Sequence, residues 1–209
     1  VTEHDAIFRE EVFAEPTGWT AWHTGPDMIQ RYKILRRNAM YTETRLVIAA
    51  PVDAIVAKLR GDWEWWRNGR YRNRVERPDG MVEYDHYPMS NMVHVKSLMY
   101  PPMPLGSNGR RIRIEISDYM TGTLYMDVVG RPDGTSELCS RFAAVQVTGP
   151  FRFLPYPGHI AAMIHLSAER GTFVWPKGTG FGGLIDELTG AGRGAQASLH
   201  TPIQTGAST

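Results

Sequence analysis

His165 and Glu169 are the two residues whose types and spacing most directly suggest chemistry. They lie in residues 157–172, which follow Pro155 and open on Pro157-Gly158, and this stretch reads as a C-terminal helix. Side chains four apart on a helix share a face, so this imidazole and this carboxylate converge on one point. Converging nitrogen and oxygen donors suit a divalent metal; the plainer alternative is a hydrogen-bonded pair. A metal needs more donors, and those must come from whatever the helix covers.

Two strand histidines are the candidates. In residues 81–87, His86 shares a face with Val82 and Tyr84, opposite Glu83, Asp85 and Tyr87. In residues 91–98, His94 shares a face with Met92 and Leu98, with Lys96 also on it. Only Pro88-Met89-Ser90 separates the two stretches, and same-face residues of an antiparallel pair sit about 5 Å apart at Cβ. The expected metal set is therefore His86, His94, His165 and Glu169. Glu115 competes for a place. It shares its face with Arg111 and Arg113, opposite Ile112, Ile114 and Ile116, and would turn inward only if a bulge near Gly109 reversed the parity. His159 falls on another helical face, and His4 and His23 read as surface residues.

The elements that must position these groups read as follows. Residues 41–49 alternate as a strand. Pro51 and Asp53 open a helix whose stripe is Val52, Ile55, Val56 and Leu59, ended by Gly61. The aromatic cluster Asp62-Trp63-Glu64-Trp65-Trp66 follows. Residues 71–76, 81–87, 91–98, 110–119, 122–129 and 136–147 read as strands, joined by turns such as Pro78-Asp79-Gly80 and Pro132-Asp133-Gly134. Residues 181–188 read as a short helix, and residues 26–35 as another, because Met28, Ile29, Tyr32 and Leu35 form a stripe. The expected fold class is α+β: a curved antiparallel sheet wrapped around a long C-terminal helix, enclosing an apolar cavity. Residues 1–38 would be an N-terminal extension, 39–190 the domain, and the Gly/Ala/Ser/Thr-rich 191–209 a flexible tail.

Composition bounds the function. A chain of 209 residues, 42% hydrophobic and 11% aromatic, can build a sizeable core. Its net charge of +1, without a basic block, gives nucleic acid no electrostatic footing. Cys139 is the only cysteine, which rules out an internal disulfide and a cysteine-rich zinc module and suits a reducing cytoplasm. No run of about 18 apolar residues suggests a membrane span, and the polar start Val1-Thr2-Glu3-His4-Asp5 does not read as a signal peptide. Neither a membrane nor a nucleic acid is expected as a partner. The tryptophans, methionines and residues 151–154 suit the lining of a pocket for a small apolar or aromatic molecule.

The run from Ala49-Ala50-Pro51-Val52-Asp53-Ala54-Ile55 to Trp63-Glu64-Trp65-Trp66 resembles the opening of the START/Bet v 1-like superfamily of polyketide cyclases and lipid-transfer domains, over roughly residues 40–190. A narrower resemblance is to its 2,4-diacetylphloroglucinol hydrolase branch, carried by Trp65-Trp66, Asp85-His86, Ser140-Arg141-Phe142 and His165…Glu169. That branch binds zinc through two histidines and two glutamates and cleaves a carbon–carbon bond between an acyl group and a phenolic ring. The resemblance implies zinc on His86, His165 and Glu169. It departs at the fourth ligand, where this chain offers His94 or Glu115.

The function so implied is a zinc-dependent hydrolase of a small aromatic or polyketide-like ketone. Zinc would polarise the ketone, and Tyr84, with Tyr71 second, would protonate the ring carbon and hydrogen-bond the developing phenolate. The alternatives are a metal-free cyclase or aromatase, and a carrier of an apolar small molecule.

Overall fold

A computed structural model describes residues 17–61, 63–66, 69–88, 94–148, 152–172 and 179–190. His4 and the tail 191–209 lie outside them. The strands are β1 (Thr20–Thr24), β2 (Met28–Arg36), β3 (Ala39–Ile48), β4 (Gly69–Glu76), β5 (Val82–Pro88), β6 (Val95–Met99), β7 (Met103–Leu105), β8 (Gly109–Asp118), β9 (Met120–Gly130) and β10 (Ser136–Val147). The helices are α1 (Val52–Arg60), α2 (Pro157–Arg170) and α3 (Phe181–Thr189), with a 3₁₀ turn at Glu64–Trp66. The fold is α+β, as expected.

All the strands belong to one open antiparallel sheet in the order β1-β2-β3-β10-β9-β8-β6-β5-β4, with β7 alongside β8. Bulges interrupt the register between Ile34 and Arg36, between Arg72 and Val75, and between Ala144 and Gln146. Each adds an unpaired residue and bends its strand, which lets so wide a sheet curve around the helices. Asn73, inside one of these bulges, takes the left-handed conformation, which asparagine tolerates better than most residues.

Residues 26–35 do not form the expected helix: Met28–Arg36 is a strand, paired with β3 along its length. The helical stripe included Ile29 and Leu35, which are 48% and 44% exposed. The buried residues are Gln30 and Tyr32, which alternate. The period of two was the operative one, disguised by a polar glutamine in the core.

Helix α1 follows the reading of the sequence. Pro51 is its N-cap, Asp53 lies in the first turn, and Ile55, Val56 and Leu59 are buried. Helix α2 carries Pro157 in its first turn and ends on Gly171 in the left-handed conformation. The Gly171 amide donates to the Ala168 carbonyl and the Thr172 amide to that of Ser167, closing the C-terminus. Helix α2 packs chiefly on β3, with β2 and β10 beside it. Helix α3 packs on the tryptophan turn, where the Gly180 amide donates to the Trp66 carbonyl.

Candidate functional site

The inner face of the sheet carries two clusters. The first lies under α2. Gln30, Thr44 and Ser140 are register partners on β2, β3 and β10, so they form one row across three strands. Glu169 reaches down onto this row and is buried. Thr44 Oγ1 donates to Glu169 Oε2 at 2.5 Å, and Ser140 Oγ donates to Oε1 at 2.7 Å. Gln30 Nε2 donates to Thr44 Oγ1 at 3.1 Å and to the Leu166 carbonyl at 2.9 Å. Both oxygens of the carboxylate are thus satisfied by neighbouring strands. Hydrogen bonds to an ionised acceptor are stronger than neutral ones, which offsets the cost of burying the carboxylate.

His165 lies one turn earlier on α2. Its Nε2 is 3.4 Å from Glu169 Oε1, and its ring packs on Phe142 with centroids 4.9 Å apart. That nitrogen is buried and has no hydrogen-bond partner. The i,i+4 juxtaposition expected from the sequence is therefore present. Thr44, Ser140 and Gln30 were not singled out as functional, although Ser140 begins the quoted Ser-Arg-Phe stretch. The available signal was a polar residue at alternate, core-facing positions of otherwise apolar strands.

The second cluster lies at the opposite end of the sheet, on β4 and β5. Trp63 is ringed by Trp65, Trp66, Tyr71 and Tyr84 at centroid distances of 5.0, 5.7, 5.6 and 5.7 Å. Tyr71 and His86 are register partners, and their rings stack at 4.3 Å with 5° between planes. His86 faces inward, as expected, and desolvation pushes its pKa down to about 3, so the ring is neutral. Burial raises the phenols of Tyr71 and Tyr84 well above their ordinary value, with a hydrogen bond to Ser97 opposing the shift at Tyr84. Both tyrosines stay protonated and can act as donors, not as bases. Three indole or imidazole nitrogens here are buried without a partner: Trp63 Nε1, Trp66 Nε1 and His86 Nε2.

The four expected metal ligands are not brought together. His94 faces outward, and this corrects the parity read from residues 91–98. Val95, Ser97 and Met99 of β6 are the buried residues, and Val95 is the partner of inward-facing His86. His94 stacks on Tyr87 instead. Its Nδ1 lies 2.6 Å from Asp118 Oδ2 and its Nε2 3.0 Å from Asp85 Oδ1, so neither nitrogen is open to an inner-face metal. Glu115 also points outward and pairs with Arg113 at 2.6 Å. His86 on β5 is four strands removed from β10, near which Glu169 sits. Among the described residues, no three His, Cys, Asp or Glu side chains converge as a metal would require. The donor set does not fit zinc.

A groove of about 780 Å³ opens on the outer face, lined chiefly by Glu83, Asp85, Lys96, Leu98, Glu115 and Ser117. Its carboxylates are engaged by Arg77, by Asn73 with His94, and by Arg113. It includes neither His165 nor Glu169.

No protein-family model matches the chain, and no curated protein matches it in sequence. Solved structures do match. Human StAR-related lipid transfer protein 5 superposes with a TM-score of 0.64 at 9% identity, over 90% of this chain and 96% of that one. Human STARD10 gives 0.61 at 14% identity, over 95% and 84%. The lipid transfer and protein localization domain of human StarD13 gives 0.51 at 12% identity, over 78% and 93%. The chain has the START-type fold. The match to STARD10 takes in nearly the whole chain. These matches do not single out the hydrolase branch.

Proposed function

We propose that the chain binds a small, mostly apolar molecule between the inner sheet face and its helices, as a carrier rather than as a zinc hydrolase. The observation behind this reading is a set of orphaned buried polar atoms on that face: the ring nitrogens Trp63 Nε1, Trp66 Nε1, His86 Nε2 and His165 Nε2, together with the amide oxygen Gln30 Oε1. Leaving a buried polar group unpaired costs about 1–3 kcal/mol. Four unpaired nitrogens and one unpaired amide oxygen, in an interior that satisfies Glu169 completely, suit a ligand with one or two polar oxygens, such as a hydroxyl or a carbonyl, on an apolar frame. The shared fold with StAR-related lipid transfer proteins supports the same reading.

The test is native mass spectrometry of the purified chain, followed by solvent extraction. One equivalent of an extractable apolar molecule, recovered unchanged, is the expected result. A ligand-free protein that binds no fluorescent lipid or aromatic ketone would refute it, and stoichiometric zinc would restore the hydrolase reading.

One observation favours a second, enzymatic reading. His165 stands beside a carboxylate fixed by two hydroxyls, an arrangement suited to proton transfer in a metal-free cyclase. Recovery of a chemically converted ligand, lost in His165→Ala, would select it.

A further inference from the structure

Large apolar side chains project where α2 begins. Phe153 is 74% exposed and Tyr156 75%, and Leu154 beside them and Met163 farther along the helix are exposed too. Single exposed apolar residues are ordinary, but Phe153, Leu154 and Tyr156 fall within four consecutive residues. The β2–β3 turn lies against the same place. The Gly158 amide donates to the Arg37 carbonyl at 2.9 Å, and a Cβ on Gly158 would meet backbone atoms of Arg37 and Ala39 at 3.2 Å. That close approach brings exposed Leu35, Arg36 and Arg37 to the tip. Arg152 adds a third cation, its guanidinium 4.6 Å from the Phe153 ring centroid.

The charge is one-sided. Residues 28–42 and 138–168 contain no Asp or Glu, in a chain whose 23 basic and 22 acidic residues nearly balance. Helix α2 directs its N-terminus, with its partial positive charge, at the same tip and has no acidic residue in its first turn.

We propose that this tip, comprising Leu35, Phe153, Leu154, Tyr156 and Met163 with Arg36, Arg37 and Arg152, docks on an anionic lipid surface. A protruding apolar group needs a matching pocket on a folded partner, whereas a bilayer accepts it at the headgroup level and the arginines meet the lipid phosphates. Among the described residues no helix is long and apolar enough to cross a membrane. The expectation of no membrane partner rested on that absence, but docking at a surface requires no spanning length. The proposal does not depend on what the interior binds.

The test is co-sedimentation of the full chain with vesicles of phosphatidylcholine, alone and with roughly 30% phosphatidylserine, at low and high salt. The chain should sediment with the anionic vesicles at least about five-fold more than with neutral ones, and salt should release it. Phe153→Ser with Tyr156→Asn should lower partition about ten-fold, as should Arg36→Gln with Arg37→Gln, each with an unchanged Tm. Phe153→Trp removes nothing and supplies a second readout: its emission should shift to the blue on anionic vesicles only. Absence of wild-type binding, or binding indifferent to both double variants, would overturn the proposal. So would a Phe153→Ser effect confined to self-association in sedimentation velocity, which would assign the tip to a second copy of the chain.

Discussion

His86 should make the protein acid-sensitive, and replacing it should remove that sensitivity. Its ring is buried against Tyr71 with no charged group on its face of β5, and its pKa falls from 6.5 to about 3. As pH drops below about 6.5, the unfolded chain binds a proton at this position and the folded chain does not. Stability present above 6.5 is therefore lost progressively down to about 3. At pH 5 the loss is about 1.5 pH units' worth, or about 2 kcal/mol at ~1.4 kcal/mol per unit. His86→Phe keeps an aromatic ring stacked on Tyr71 and removes the titration. Urea unfolding of both proteins at pH 7 and pH 5 isolates the effect, because the other histidines contribute equally to each. The wild type should lose about 2 kcal/mol more than His86→Phe over that interval. Equal losses would show that the ring is hydrated and that the inner face does not exclude water there. At pH 7 the variant should also be more stable by about 1 kcal/mol, since the orphaned nitrogen is gone, yet should bind the interior ligand more weakly.

Three other substitutions test different parts of the argument. Thr44→Val with Ser140→Ala removes both donors to Glu169 and should destabilise by about 3 kcal/mol or more in urea unfolding; a loss below about 1 kcal/mol would mean that the carboxylate is held by something else. Gly180→Ala would place a Cβ 2.2 Å from the Ala168 carbonyl at φ +59°, and should cost at least about 3 kcal/mol and loosen α3, whereas Gly134→Ala, at φ +83° with nothing within 4 Å, should cost about 1 kcal/mol in thermal melts. His94→Ala should leave ligand binding unchanged and shift stability by no more than about 1 kcal/mol, because it acts at the outer face.

Local chemistry in the sequence carried much of the fold. Pro51 and Gly61 bounded α1, glycines at Gly80 and Gly134 took the left-handed turns the Asp-Gly pairs predicted, and the isoleucines of β8 declared their inward face. Errors arose where a strand mixes polarity on its buried side. In β2, Gln30 occupies the core while Ile29 faces out, so a helical stripe fitted better than alternation. In β6, Ser97 is buried and Leu98 only partly so, which turned the apparent apolar face around and carried His94 with it. A one-residue slip in parity exchanges every inward and outward side chain of a strand. The i,i+4 pairing of His165 and Glu169 was visible because it is local. Its real partners were not, since Thr44 lies 125 residues away in sequence and Ser140 lies 29 away.

The same geometry changes what Glu169 means. A carboxylate in a chemically suggestive pair invites a catalytic role, yet this one has each oxygen taken by a hydroxyl from a different strand. A fully satisfied buried charge adds little net stability compared with an apolar side chain of its size, but it penalises any misplaced packing that strands it. Sliding α2 by one residue along β3 and β10 would strip the carboxylate of both hydroxyl donors and take the Leu166 carbonyl from the Gln30 amide at once, leaving Gln30 only its bond to Thr44. Glu169 therefore fits a register pin for the helix over the sheet. The groups still open to a ligand are the ones the fold leaves unpaired: the nitrogens of His165 and His86, the indoles of Trp63 and Trp66, and the Gln30 amide oxygen. Function on this inner face is to be sought where hydrogen bonding is incomplete, and charge alone points to the wrong residue.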